Sequence, residues 1–380
     1  MSVSREHVLQ ALKKVTHPEK EKNIVRLNMV KDLTTEDGAV SFTLIVERPD
    51  TAFAKQAQAA CTQVLREEID PDLEVDVELD NEMISLGDDV GVSGGSGDGG
   101  GGGGQQKQQR PQLAENMVAV ASGKGGVGKS TVAANLAVGL AEQGYSVGLL
   151  DSDIYGPSIP TMFGVENKKP RVNQNKQIVP LEAHGVRLLS MGFLVDQEKA
   201  VIWRGPMVTN ALRQFLNDAA WGELEYLILD LPPGTGDAQL TIVQTVPLTG
   251  AVIVSTPQDV ALADARKGVK MFEKVDVPVL GMVENMSYFT PPDLPDRKYY
   301  LFGRGGAKRL AQEMDVSFLG EVPIEQRVRE SSDDGTPIVL DAPESASAEA
   351  LAQMAERTDE QVAIRNADQS ATQKVEILYE

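Results

Sequence analysis

The run Gly123-Lys124-Gly125-Gly126-Val127-Gly128-Lys129-Ser130 fits the pattern G-x-x-x-x-G-K-[ST], and nothing else in the chain limits the fold so narrowly. A nucleoside triphosphate crowds several anionic oxygens together. A short backbone can turn its N–H groups onto them only where glycine permits the conformation, and Gly123, Gly125, Gly126 and Gly128 supply that freedom. Lys129 is then placed to reach the β- and γ-phosphates and Ser130 to offer a hydroxyl to Mg2+. The helix that follows, with Thr131 in its first turn, directs its N-terminus at the phosphates. Such a pattern counts only between a strand and a helix. Met117-Val118-Ala119-Val120-Ala121 reads as a buried strand, and Ser130 to Glu142 is helix-like, so both flanks comply. The second lysine, Lys124, is the least expected letter in the loop.

Composition narrows the partners. The 380 residues carry 36 Lys+Arg against 56 Asp+Glu, a formal charge of −20, which repels nucleic-acid phosphates and anionic membranes. We therefore expect no nucleic acid and no membrane among the partners. Without an apolar run of spanning length or a signal-peptide core after Met1, the expected location is cytoplasmic. Cys61 is the only cysteine, and His7, His17 and His184 show no metal-ligand spacing.

Four regions follow from the patterning. Residues 1–86 read as a small α+β domain of order αββαβ: a helix over Ser4 to Val15, a hairpin of Ile24 to Val30 and Val40 to Val46 turned at Thr34 to Gly38, a helix over Thr51 to Glu68, and a strand over Leu73 to Asp80. Residues 87–112 are a Gly-rich flexible linker. Residues 113–345 alternate apolar strands with helices, which predicts an α/β fold with a mostly parallel sheet flanked by helices and ligands at the strands' C-terminal edge. Residues 346–380 read as a C-terminal helix and an acidic tail.

Two strand ends add carboxylates. Leu149-Leu150-Asp151-Ser152-Asp153 and Leu227-Ile228-Leu229-Asp230-Leu231-Pro232-Pro233-Gly234-Thr235-Gly236-Asp237 each follow an apolar strand with aspartate, the pattern that anchors Mg2+ in P-loop enzymes. Any one of these aspartates alone reads more often as a turn or helix cap, and it is the company of Gly123 to Ser130 that reverses the balance.

Together with Trp203-Arg204-Gly205-Pro206-Met207 and Glu284-Asn285-Met286-Ser287-Tyr288, these segments resemble the Mrp/ApbC family of P-loop ATPases, of the deviant Walker A class that includes MinD, ParA and the nitrogenase iron protein. The likeness covers about 113–340. Residues 1–86 resemble the MIP18-like domain that often precedes it, through Pro18-Glu19 and Asn23-Ile24-Val25. The resemblance implies a homodimer in which Lys124 acts across the interface, with Lys129, Lys124 and Asp153 catalytic and Asp153 orienting the attacking water. It further implies ATP and Mg2+ as cofactors, Asp151 and Asp230 on the Mg2+ side through waters, Asn285 as an adenine contact, and Pro323 in Gly320-Glu321-Val322-Pro323-Ile324 lining the base.

The family carries iron–sulfur clusters to apoprotein clients, with a Cys-x-x-Cys pair shortly after the ENMSY segment as ligands. This chain departs there: Phe289 to Gly303 holds no thiol, so iron–sulfur ligands are not evident. Cys61 reads either as a core residue, on one helix face with Phe53, Ala57 and Leu65, or as a ligand. The leading expectation is an ATP-hydrolysing iron–sulfur cluster carrier or assembly factor. The alternatives are a nucleotide-gated scaffold without a cluster and a MinD/ParA-like positioning ATPase, the last opposed by the negative charge.

Overall fold

The computed structural model describes residues 3–81, except 19, 37, 47, 48 and 50, and residues 113–154, 156–193 and 205–368. The expected linker at 87–112, Trp203 and Arg204, and the expected acidic tail beyond 368 lie outside the described residues. The chain divides into two compact units, one holding the described residues up to Asn81 together with residues 366–368, and the other running from Leu113 to Arg365.

The first unit contains α1 (Arg5–Leu12), β1 (Val30–Glu36), β2 (Ala39–Ile45), α2 (Ala52–Glu68) and β3 (Glu74–Asp80), the expected αββαβ order. β2 is the middle strand, antiparallel to β1 and parallel to β3. Val40, Phe42 and Leu44 of β2, Leu9 and Leu12 of α1, and Cys61 and Leu65 of α2 are all buried. The first hairpin strand is shifted from its expected place. Residues 24–28 form turns, because the Asn23 side chain accepts from Arg26 N at 2.8 Å and Asn28 adopts a φ of 51°. Thr34, Thr35 and Glu36, expected in the turn, instead pair with Ser41, Val40 and Ala39. The reversal tightens onto Gly38, whose φ of 83° suits a residue without Cβ.

The second unit runs β4 (Asn116–Ser122), α3 (Lys129–Glu142), β5 (Val147–Asp151), α4 (Ile159–Met162), the small hairpin β6 (Arg171–Val172) and β7 (Ile178–Val179), β8 (Leu181–Ala183), β9 (Val186–Ser190), α5 (Gly205–Asn217), β10 (Tyr226–Asp230) and α6 (Asp237–Thr245). It continues through β11 (Gly250–Ser255), α7 (Asp259–Lys274), β12 (Val279–Phe289), α8 (Gly306–Glu313), β13 (Phe318–Ile324), α9 (Gln326–Asp333), α10 (Ile338–Asp341) and α11 (Ala346–Asp368). The main sheet has the order β13-β12-β11-β4-β10-β5-β9-β8, and every neighbouring pair is parallel except β9–β8. This is the expected mostly parallel sheet flanked by helices.

Strand alternation builds two cores, one on each face. Val118 and Val120 of β4, with Leu149 and Ile228, pack among Leu136 and Leu140 of α3 and Leu351 and Met354 of α11. Met117, Ala119 and Ala121, with Leu227 and Leu229, pack on the other face among Phe215, Ile242, Val269 and Phe272. Each fully buried leucine or phenylalanine contributes about 1.5–3 kcal/mol. With both faces covered, the loops at the C-terminal ends of β4, β5 and β10 are the free edge, and the chain order reverses around β4. No helix among the described residues is long and apolar enough to cross a membrane.

Candidate functional site

The site grows from the C-terminal end of β4. Ser122 is its last residue, and its hydroxyl donates to Lys124 O at 2.9 Å, which starts the turn. Gly126 and Gly128 then take φ values of 79° and 81°, and Gly128 caps α3 with no side-chain hydrogen bond to the first helical amides. Those amides keep their donors for a ligand, and the helix dipole adds favourable potential for an anion. Gly123 is required for another reason: a Cβ there would lie 2.3 Å from the backbone carbon of Asp264, so the loop rests directly on α7.

Parallel register brings the aspartates beside this loop. Asp230 is level with Val120 on one side and with Asp151 on the other. Lys129 Nζ donates to Asp230 Oδ1 at 2.5 Å and to Ser130 Oγ at 3.2 Å, and Lys129, Asp151 and Asp230 are all buried. Asp151 Oδ2 accepts from Ser190 Oγ at 2.8 Å and Oδ1 from Asp153 N at 3.1 Å. Ser152 ties the two strand ends together, its hydroxyl donating to Asp230 O at 2.7 Å. Gly234 N donates to Ser122 O at 2.9 Å, which docks the Gly/Pro loop after β10 against β4.

Burial, followed by the charge of Asp230, pushes the Asp151 carboxyl well above its ordinary range. Burial also raises Asp230, against the opposing pull of Lys129 and Ser130. The second oxygen of Asp230, Oδ2, is buried without a hydrogen-bond partner. An unpartnered carboxylate oxygen in a dry site costs free energy unless another group meets it. A carboxylate oxygen of this kind, with the Ser130 hydroxyl on the same lysine, is the type of hard donor that Mg2+ takes, a cation that keeps several of its waters.

The remaining expected residues fall at the same edge or nearby. Asn285, in β12, donates from Nδ2 to Val127 O at 2.8 Å, and it fills the space a Cβ on Gly128 would need. Asn285 is level with Val322 of β13, so Pro323 follows one residue beyond, buried. Thr131 lies half-buried in the first turn of α3. Lys124, half-buried in the loop, stands apart from the Lys129–Asp230 pair in its contacts.

Two residues at the site, and a third that braces a neighbouring helix, escaped the sequence reading. Ser190 ends β9 level with Asp151, and its signal was the same apolar strand closing on a polar residue, Leu188-Leu189-Ser190. Ser122 closes β4 in the same way. Glu284, fully buried in β12, accepts from Gly305 N at 3.0 Å and Ala307 N at 2.7 Å and so caps α8. Cys61 lies far from this chemistry in kind: burial pushes its thiol up to about 12, and it is 0% exposed. Among the described residues no group of three or more His, Cys, Asp or Glu side chains is arranged to hold a metal ion.

The chain is similar to known proteins along most of its length. A family profile described as NUBPL iron-transfer P-loop NTPase matches residues 114–359, and one described as iron-sulfur cluster assembly protein matches residues 5–78. The chain is 47% identical over 357 residues to an iron-sulfur cluster carrier protein of Synechocystis, covering 92% of this chain and 95% of that protein. It is 52% identical over 261 residues to the iron-sulfur cluster transfer protein NUBPL of Dictyostelium discoideum, covering 68% of this chain and 80% of that one. Among solved structures, the nucleotide-binding protein of Archaeoglobus fulgidus in complex with ADP is similar with a TM-score of 0.54 and 44% identity, over 60% of this chain and 88% of that one.

Proposed function

The chain belongs to the family of NUBPL iron-transfer P-loop NTPases, and from that premise we propose that it is an ATP-hydrolysing, homodimeric factor that assembles or delivers iron–sulfur clusters to apoprotein clients. The observation that carries this reading is a likeness spanning both units at once, the P-loop unit and the small unit that precedes it.

In the proposed reaction, the amides at the start of α3 and the Lys129 ammonium hold the triphosphate, with phosphate oxygens taking Lys129 from Asp230. Ser130 would hold Mg2+ directly and Asp151 and Asp230 through water, and the cation would neutralise charge on the β- and γ-phosphates. Asp153, buried beside Asp151, orients a water for attack on the γ-phosphorus; the bond to the β-phosphate oxygen breaks, and ADP and phosphate leave. Lys124 of a second copy supplies a cation to the transferring phosphoryl group, in the way an arginine finger does. Asn285 and Pro323 border the base, and Asn285 also fixes the loop through Val127. Lys124→Ala is expected to keep ATP affinity while losing hydrolysis by about a thousandfold, the scale of a finger residue. Normal turnover in that variant would remove the second lysine from the mechanism.

One observation favours a second reading, a nucleotide-gated scaffold that holds no cluster itself. The only cysteine is buried with a thiol that resists ionisation, whereas clusters are held by thiolates. Anaerobic reconstitution with iron and sulfide separates the two. A visible chromophore that survives desalting supports direct carriage, and a colourless protein removes carriage by this chain alone and favours the scaffold.

A further inference from the structure

Between β12 and α8 the chain runs through residues 290–305, and from Pro292 to Tyr299 every residue faces solvent. The segment is nevertheless held in place. Phe289 and Tyr299 exchange backbone hydrogen bonds of 2.9 and 2.8 Å, and Glu284 fixes its far end through Gly305 N and Ala307 N. Tyr300 stands edge-on to Tyr288 at 6.3 Å.

Its charge contradicts the composition of the chain. Arg297, Lys298, Arg304, Lys308 and Arg309 are all exposed, and none of the five makes an ion pair with a carboxylate among the described residues. By contrast Arg266 pairs with Glu313, Arg327 with Asp341 and Arg329 with Asp333. In a chain with 56 acidic and 36 basic side chains, five unpaired neighbouring cations leave a strong local excess. Asp293 and Asp296, at the start of the segment, are the only acidic residues between Tyr288 and Gln312. Among the cations lie exposed apolar groups: Tyr299 at 42%, Leu301 at 60% and Phe302 at 39%.

We propose that the surface from Arg297 to Arg309 docks an acidic segment of a partner protein that also carries large apolar side chains. Carboxylates on the partner meet the unpaired cations, and its apolar side chains cover Leu301 and Phe302. The geometry favours a peptide over a nucleic acid. Lys298 Nζ lies 3.8 Å from the Tyr288 centroid and Arg304 Cζ lies 4.8 Å from that of Tyr300, so those two rings are covered, while the exposed apolar groups include the aliphatic Leu301, which a base cannot stack on. A long polyanion would also meet the acidic remainder of the protein. This surface is independent of the cluster chemistry, since docking and reconstitution are read on separate signals.

The test uses the full chain and a fluorescein-labelled peptide of alternating Glu and Leu, followed by anisotropy at low and high salt. The expected result is salt-sensitive binding that falls at least about tenfold in R297E/K298E/R304E, with ATP affinity unchanged as the check on folding. A second variant, L301S/F302S, is expected to weaken the same peptide while leaving its salt dependence intact. Equal binding by wild type and the charge-reversal variant overturns the proposal. So does equal affinity for an all-Glu peptide, or tighter binding of a single-stranded oligonucleotide of matched charge.

Discussion

Asp230 and Glu284 are two carboxylates shut away from solvent on the same sheet, and they solve the cost of burial in opposite ways. Glu284 is saturated: each oxygen accepts from an amide at the start of α8, and those bonds oppose the upward push of burial on its pKa. Asp230 keeps one oxygen on Lys129 and leaves the other without a partner. A saturated buried charge has nothing left to offer a ligand and serves to hold an element in place. An unsaturated one stores a cost that a bound group can relieve, as expected of a residue kept for function at the expense of stability.

That contrast can be broken most directly at Lys129. Lys129→Ala is expected to abolish ATP binding in calorimetric titration and, by stranding the Asp230 charge, to lower stability by about 3–5 kcal/mol in denaturant unfolding. Adding Asp230→Asn should return most of that stability and none of the binding. If the single variant unfolds like wild type, Asp230 does not depend on its counter-ion and the contrast with Glu284 fails.

Glu284→Ala should show the opposite profile. Stranding the buried Ala307 amide, with the half-buried Gly305 amide beside it, costs about 1–3 kcal/mol, while ATP affinity stays unchanged. A loss of nucleotide binding without a loss of stability would make Glu284 part of the site.

A pH dependence is expected at Asp151, and its sign rather than its size is what tests the contrast. Its pKa is raised in the folded state, first by burial and then by Asp230, so the folded protein holds this proton more firmly than the unfolded chain. The stabilisation is therefore complete below the ordinary carboxylate range and is lost as pH rises through the raised pKa, by at most about 1.4 kcal/mol per pH unit. Asp151→Asn removes that titration, and the nucleotide-free variant should keep a flatter stability curve than wild type from about pH 5 to about pH 8. A constant difference between the two curves would show that Asp151 ionises normally.

Much of this was legible in the sequence because the information is local. The loop from Gly123 to Ser130, its flanking strand and helix, and aspartates at strand ends are each readable within a few residues of one another. The first hairpin strand was misplaced because Ile24, Val25 and Leu27 look like strand residues, while Asn23 and Asn28 fold them into turns by bonds that hydrophobicity does not record. Glu284 was unreadable because its partners lie 21 and 23 residues further on and are backbone amides with no side-chain signature. Ser190 could have been found, since it ends its strand as Asp151 does, but its neighbour is fixed only by strand order.

The burial of the one cysteine also makes the protein convenient to instrument. With Cys61 at 0% exposure and its thiol pushed up to about 12, the folded chain presents no competing thiol to a maleimide dye at neutral pH. A single Leu301→Cys substitution would therefore place one fluorophore on the exposed segment after β12, with no background cysteine to remove first.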